Sequence, residues 1–217
     1  MGTGALIGWG VSRRDFDNDG DEDLIIANGN YYTERVSAGF FGAHLPNPGR
    51  QLLRYYQNDG TDDFRDSSLS AGAPFQQPGS RYSLAVADFD LDGCYDLVVT
   101  PKDLSNGVGE GIDDEYDLGV RVLRNQCEYP NARVGYVAPD DAIRVELQSD
   151  AGDVLVREFK ASPGVASSSD THRIIIGLPA GFLTASGVLS RRIDGEVVSQ
   201  EIPAPQLEAG QYHSLVD

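Results

Sequence analysis

The chain has 217 residues, and 34 Asp+Glu against 17 Lys+Arg give a formal charge of −17, which disfavours nucleic-acid phosphates and anionic membrane surfaces as partners and favours cations. The acidic set holds 24 Asp to 10 Glu, an excess that suits short carboxylates in tight cation-binding turns rather than solvated helix faces. At 40% hydrophobic and 24% charged the composition is globular, and the longest uncharged run, Ile174 to Ser190, is shorter than a bilayer span and broken by Gly177, Pro179, Gly181 and Gly187.

In chain order, the apolar stretches are short, rich in Val, Ile, Leu and Tyr, and bounded by turn clusters such as Asn58-Asp59-Gly60. This punctuation predicts an all-β protein, and no window sustains the i, i+3, i+4, i+7 spacing of a long helix. The opening Met1-Gly-Thr-Gly-Ala5 has no basic, apolar leader pattern, so the compartment has to be argued from other residues.

An internal repeat follows. Trp9 to Ala27 aligns with Tyr82 to Thr100 at an offset of 73 residues, each copy reading strand, Asp-rich turn, strand. A further apolar segment ending in Asn comes after each, Gln51–Asn58 and Val120–Asn125, which predicts one small antiparallel sheet per repeat. Beyond about Asn131 the Asp-rich turns stop, and we place a domain boundary there, giving a repeat region 1–130 and a second region 131–217. The second region offers runs at Ala142–Leu147, Val154–Phe159, His172–Leu178, Ser186–Arg192 and Glu196–Ile202, the spacing of a compact β-sandwich.

The chemistry lies in the pattern D-x-D-x-D-G-x-x-D-L, which occurs twice. In the first copy Asp15, Asp17 and Asp19 alternate so that their carboxylates converge when the chain curls, Gly20 supplies the sharp turn, and Asp23 closes the shell. Asp88, Asp90, Asp92, Gly93 and Asp96 repeat the arrangement. With a backbone carbonyl from Asp21 or Cys94, the oxygen-only ligand set favours Ca²⁺ over Mg²⁺, and two ions are expected. The loop is not an EF-hand, because position twelve carries Ile26 or Val99 in place of a bidentate Glu, and strands replace the flanking helices. Thrombospondin-like and dockerin-like loops fail on the same position. One such loop leaves turn formation alone as an alternative, whereas two with the same spacing crowd carboxylates that would repel without a cation.

These loops with their strands resemble the FG-GAP or VCBS type repeat of β-propellers, in which each blade carries a calcium loop between its first two strands. Gly8-Trp9-Gly10-Val11 before the first loop, Leu53 to Gly60 after it, and Phe64 with Asp66 extend the similarity. The second region resembles the ASPIC/UnbV domain of cartilage-acidic-protein-like secreted proteins through Ser167 to Arg173, Ile176-Gly177-Leu178, Asp194-Gly195-Glu196 and Leu207 to Gln211. The resemblance implies an all-β chain: a partial β-propeller of about two blades, then a small β-sandwich-like domain. It also implies a secreted or cell-surface adhesion module with a protein or glycan partner. A closed propeller needs four to eight blades, so three arrangements stay open: a fragment of a longer chain, a ring completed by other subunits, or two blades leaning on the second region.

Cys94 precedes one strand of the second repeat and Cys127 follows another. If those strands pair as a hairpin, a Cys94–Cys127 disulfide is geometrically plausible, and an oxidising, calcium-rich exterior favours it. His44, His172 and His213 are scattered, so a zinc site is not expected. Ser167-Ser168-Ser169 near His172 lacks the nucleophile elbow of a hydrolase and reads as a loop. Aspartates committed to a cation cannot also donate protons, so no enzyme activity is expected. Tyr31, Tyr32, Phe40 and Phe41, in the long insert Asn28–Gly49, and the pair Tyr55-Tyr56 are candidates for partner or sugar contact, although aromatic pairs in β proteins mostly fill the core or cap sheet edges. A carbohydrate-binding accessory region of a secreted hydrolase and an architectural subunit of a surface assembly remain as alternative functions.

Overall fold

The computed structural model describes residues 6–29, 51–61, 63–101, 119–128, 131–159, 167–169 and 173–216. The Asn28–Gly49 insert with its four aromatics lies almost wholly outside the described residues, as does His172.

The first repeat forms a four-stranded antiparallel meander in sequence order: β1 (Gly8–Arg14), β2 (Asp23–Asn28), β3 (Arg54–Asn58) and β4 (Phe64–Asp66). Alternating burial along β1 fits a strand with one face on a core. A single-turn helix, α1 (Ala73–Gln76), started by Pro74, leads to the second repeat. There β5 (Arg81–Ala87), β6 (Asp96–Pro101) and β7 (Arg121–Leu123) pair antiparallel. These are two propeller-type blades. Register places Asp23 opposite Arg14 and Asp96 opposite Ala87, so each Asp-rich stretch is the tight link between the first two strands of its blade.

The second region contains β8 (Ala132–Val137), β9 (Ala142–Ser149), β10 (Val154–Glu158), β11 (Ser167–Ser169), β12 (Arg173–Leu178), β13 (Thr184–Ile193), β14 (Glu196–Glu201) and β15 (Tyr212–Ser214), with a 3-10 turn at Ala204–Leu207. Two sheets, ordered β10-β9-β13-β14 and β12-β8-β15, enclose a core of Val134, Tyr136, Val145, Leu147, Ile176 and Leu189. This is the sandwich. It contains two strands beyond the five predicted runs: β8, next to the boundary, and β15, which lies parallel to β8.

The predicted loop at Ser167–Ser169 is corrected. These residues are β11, which leaves the second region and pairs parallel to β5 at the edge of the second blade, Ser167 opposite Leu84 and Ser169 opposite Val86. Three serines show no apolar alternation, and the pairing is carried by backbone amides and carbonyls that any residue owns.

The blades share a core of Phe16, Ile25, Tyr55, Leu84, Val86 and Leu97, and Ile175 of β12 joins it. The run Ile174-Ile175-Ile176 is therefore buried on both faces, with Ile174 and Ile176 in the sandwich core and Ile175 against the blades. Among the described residues the two blades pack against the second region through Ile175.

Tyr55 takes the core-filling role rather than the contact role. It is buried, edge-on to Phe16 with ring centroids 6.2 Å apart, and it packs against Phe75.

Candidate metal centre

Each Asp-rich link is wound by its own amides donating to its own carboxylates, and the two windings match atom for atom. At the first aspartate, Asp19 N donates to Asp15 Oδ1 at 3.1 Å and Gly20 N to Asp15 Oδ2 at 3.1 Å. In the second loop Asp92 N and Gly93 N donate to Asp88 Oδ1 and Oδ2 at 3.1 and 2.7 Å. Asp21 N reaches Asp19 Oδ1 at 2.9 Å, and Cys94 N reaches Asp92 Oδ1 at 3.0 Å. The closing aspartates are held alike: Asp23 by Phe16 N and Asn58 N at 3.1 and 2.9 Å, Asp96 by Phe89 N and Asn125 N at 3.0 and 2.8 Å.

Left-handed backbone makes the curl. Gly20 and Gly93 have φ of +100° and +84°, conformations that cost glycine little. Asn18 and Leu91 are also left-handed, at +57° and +61°, so the turn imposes this region on residue four of the loop whatever its side chain.

The result is convergence. Carboxylate oxygens of Asp15, Asp17 and Asp19 lie within 4.8 Å of one another, and so do those of Asp88, Asp90 and Asp96. Asp23 stands outside the first of these groups, and its Oδ2 also accepts the Tyr55 hydroxyl at 3.0 Å. Asp92 groups instead with Cys94 and Cys127, whose sulfurs are joined in a disulfide and so are not thiolate ligands. Asp21 and Cys94 occupy the seventh loop position, where the backbone oxygen was predicted to serve.

A carboxylate oxygen that accepts one amide keeps a lone pair for a cation. The donor set is oxygen only, flexible in denticity and crowded with negative charge, which fits a hard divalent ion.

The electrostatics of the aspartates point the same way. Burial pushes Asp15 up to about 7, against the lowering effect of Arg157, and pushes Asp23 up to about 8. Burial also raises Asp19 and Asp96. Carboxylates that resist ionisation when desolvated are the ones a divalent cation rescues.

Several residues at the site were not foreseen. Gln57 donates to Asp17 Oδ2, and Arg124, the matching residue of the second repeat, pairs with Asp90 Oδ2 and lies 3.4 Å from Asp92 Oδ2. Asn18 spans the two loops, its side-chain amide reaching Cys94 Sγ at 3.1 Å and Gly93 O at 3.4 Å. Asn58 and Asn125 left a signal, since both end their apolar segments. Arg157 and Tyr212 left none, because they arrive from strands more than a hundred positions away.

The Cys94–Cys127 disulfide is present, with Cα atoms 5.8 Å apart. Among the described residues no helix is long and apolar enough to cross a membrane.

Comparison with curated proteins finds no match. A family model described as FG-GAP-like repeat matches residues 15–99, a stretch that opens on the first aspartate of loop one and closes on the strand after loop two.

Proposed function

We propose that this chain is a non-catalytic, extracellular interaction module whose two Asp loops each hold one structural Ca²⁺. The carrying observation is the duplication: two loops 73 residues apart build the same amide cage and bring three carboxylates together in each. Asp15, Asp17, Asp19, Asp23 and the Asp21 carbonyl would hold the first ion. Asp88, Asp90, Asp92, Asp96 and the Cys94 carbonyl would hold the second.

The ion supplies charge neutralisation and a fixed centre about which the strand link folds. The chain's residues do the rest: the loop amides orient the carboxylates, and Tyr55, Asn58 and Asn125 fix the closing aspartates. An FG-GAP-like match, a disulfide and acidic loops suited to millimolar calcium support a secreted or cell-surface setting, with a protein or glycan as partner. The ASPIC/UnbV-type reading of residues 131–217 belongs to the same proposal.

One observation favours the architectural alternative. Phe16 is buried between Tyr55 and Tyr95, whereas its counterpart Phe89 is 51% exposed, and Leu91 and Val122 of the same repeat are exposed as well. A further blade or subunit would cover these side chains. Concentration-dependent sedimentation, abolished by Phe89→Ser, separates this reading from a monomeric module.

The main test is thermal unfolding of the purified chain, with calcium titrated back after chelation. A midpoint that rises with calcium, and rises less in Asp17→Ala and in Asp90→Ala, is the expected result. No rise at millimolar calcium would reduce both loops to ordinary turns.

A further inference from the structure

In both loops the first aspartate divides its two oxygens between different tasks. Oδ1 of Asp15 and of Asp88 accepts an amide from within its own loop. Oδ2 accepts the loop glycine amide and then donors from the second region. On Asp15 these are Gly177 N at 3.1 Å and Arg157 Nη2 at 3.4 Å; on Asp88 it is the Tyr212 hydroxyl at 2.6 Å.

The donors sit on three different strands, β12, β10 and β15, so one pattern is built twice from unrelated local sequence. Arg157 is almost wholly buried, and its guanidinium also donates to Gly20 O, the carbonyl at the loop's sharp turn. Strand β12 is the edge of its sheet, and its Ile175 and Gly177 amides turn to the blades, donating to Tyr95 Oη at 2.8 Å and to Asp15. Amides of Ile174 and Ile176 face β8 in the antiparallel ladder. Gly177 is also where the backbones touch: a Cβ there would run into the Asn18 backbone.

We propose that cation loading of the loops and docking of residues 131–217 onto the blades are one linked equilibrium, transmitted through Oδ2 of Asp15 and Asp88, with Arg157 and Tyr212 as positioning residues. The inference rests on the calcium reading of the loops. A cation shared by the loop carboxylates would fix the orientation of the first aspartate, and with it the position of the Oδ2 that the second region's donors need. Without a cation the converging carboxylates repel, and the swing that relieves them withdraws the acceptors that the second region uses. Arg157 does not displace the ion, because four aspartates outweigh a divalent cation and one guanidinium together. By reciprocity, docking raises calcium affinity as much as calcium strengthens docking.

The test is residue-resolved amide exchange on the full chain, with calcium and after chelation, alongside calorimetric calcium titration. Calcium should slow exchange at Ile175 and Gly177 by roughly tenfold, well beyond any change at Ile174 and Ile176, which report the sandwich itself. Arg157→Met should weaken calcium binding at the first loop about five- to tenfold, with Arg157→Lys recovering most of it. Tyr212→Phe should act on the second loop alone.

Calcium binding with unchanged exchange at Ile175 and Gly177 overturns the linkage and leaves the calcium reading standing. No heat of calcium binding overturns both. Should Arg157→Met fail to fold, the exchange comparison on the unsubstituted chain decides alone.

Discussion

The two Asp loops share a nine-residue pattern and the same amide cage, yet their surroundings are opposed. Loop one is enclosed: Asp15, Asp17, Asn18 and Asp23 are all at most 4% exposed, and the second region covers them through Arg157, Gly177 and Pro179. Loop two buries Asp88 and Asp96 but is open along its turn, with Phe89 and Leu91 51% and 58% exposed, and a covalent link and a surface ion pair join the second region's Tyr212 in holding it.

Matching positions do different jobs. In repeat one, Gly60 at φ +81° lies over the Asp21 carboxylate; in repeat two the same two places are Cys127, at φ +56°, and Cys94, bonded to each other. Neutral Gln57 reaches Asp17 where charged Arg124 reaches Asp90. The motif specifies the cage, and the neighbours decide how rigidly and how tightly it can hold an ion.

The largest expected difference is in stability. A calcium ion held at a hundred times its Kd contributes about 2.7 kcal/mol, so losing one site should lower the midpoint by roughly 5–10 °C in a chain of this size. Asp17→Ala should reach or exceed that range, because it also loosens the covered face, and Asp90→Ala should fall short of it. Equal shifts would break the comparison.

Replacing both cysteines by Ala should cost roughly 2–4 kcal/mol, as expected for a closed loop of this separation, and should weaken calcium at loop two only. Denaturant unfolding with site-assigned calcium titration checks both halves; an equal loss at loop one would mean the disulfide serves the whole blade pair.

Gly177→Ala forces a methyl group against the rigid Asn18 backbone and should cost about 1–3 kcal/mol. Gly93→Ala makes an informative contrast, since its new methyl would meet the flexible Arg133 side chain, although its positive φ adds strain of its own.

The smallest effect belongs to Arg124→Gln, which copies Gln57 into repeat two. Arg124 is 67% exposed, so its pairing is worth at most about 1 kcal/mol, and removing it should tighten calcium at loop two by roughly fivefold at most. Weaker binding in this variant would mean that Arg124 orients Asp90 rather than competing for it.

How much of this the sequence carried depends on distance along the chain. The loops, the four strands flanking them and the disulfide were legible because a cage closed by neighbouring residues writes its requirements into a short motif. The β9, β10, β12, β13 and β14 strands were legible as apolar runs between turns. Four strands were missed: β4 is Phe-Arg-Asp, β11 is three serines, β15 is Tyr-His-Ser, and β8 breaks its pattern at Gly135, where the Tyr212 ring packs in the place of a side chain. Arg157, Gly177 and Tyr212 act on the loops from 124 to 162 positions away, through single hydrogen bonds that leave no periodicity behind.

Strand β11 also imposes an order on synthesis. The edge of β5 that it covers emerges from the ribosome some eighty residues before Ser167 exists, a delay of about 4–16 s at ordinary elongation rates. During that interval the second blade shows an unpaired row of amides and carbonyls to any neighbouring nascent chain. Truncation before Ser167 makes that exposure permanent, and the shortened product should aggregate even with both loops intact.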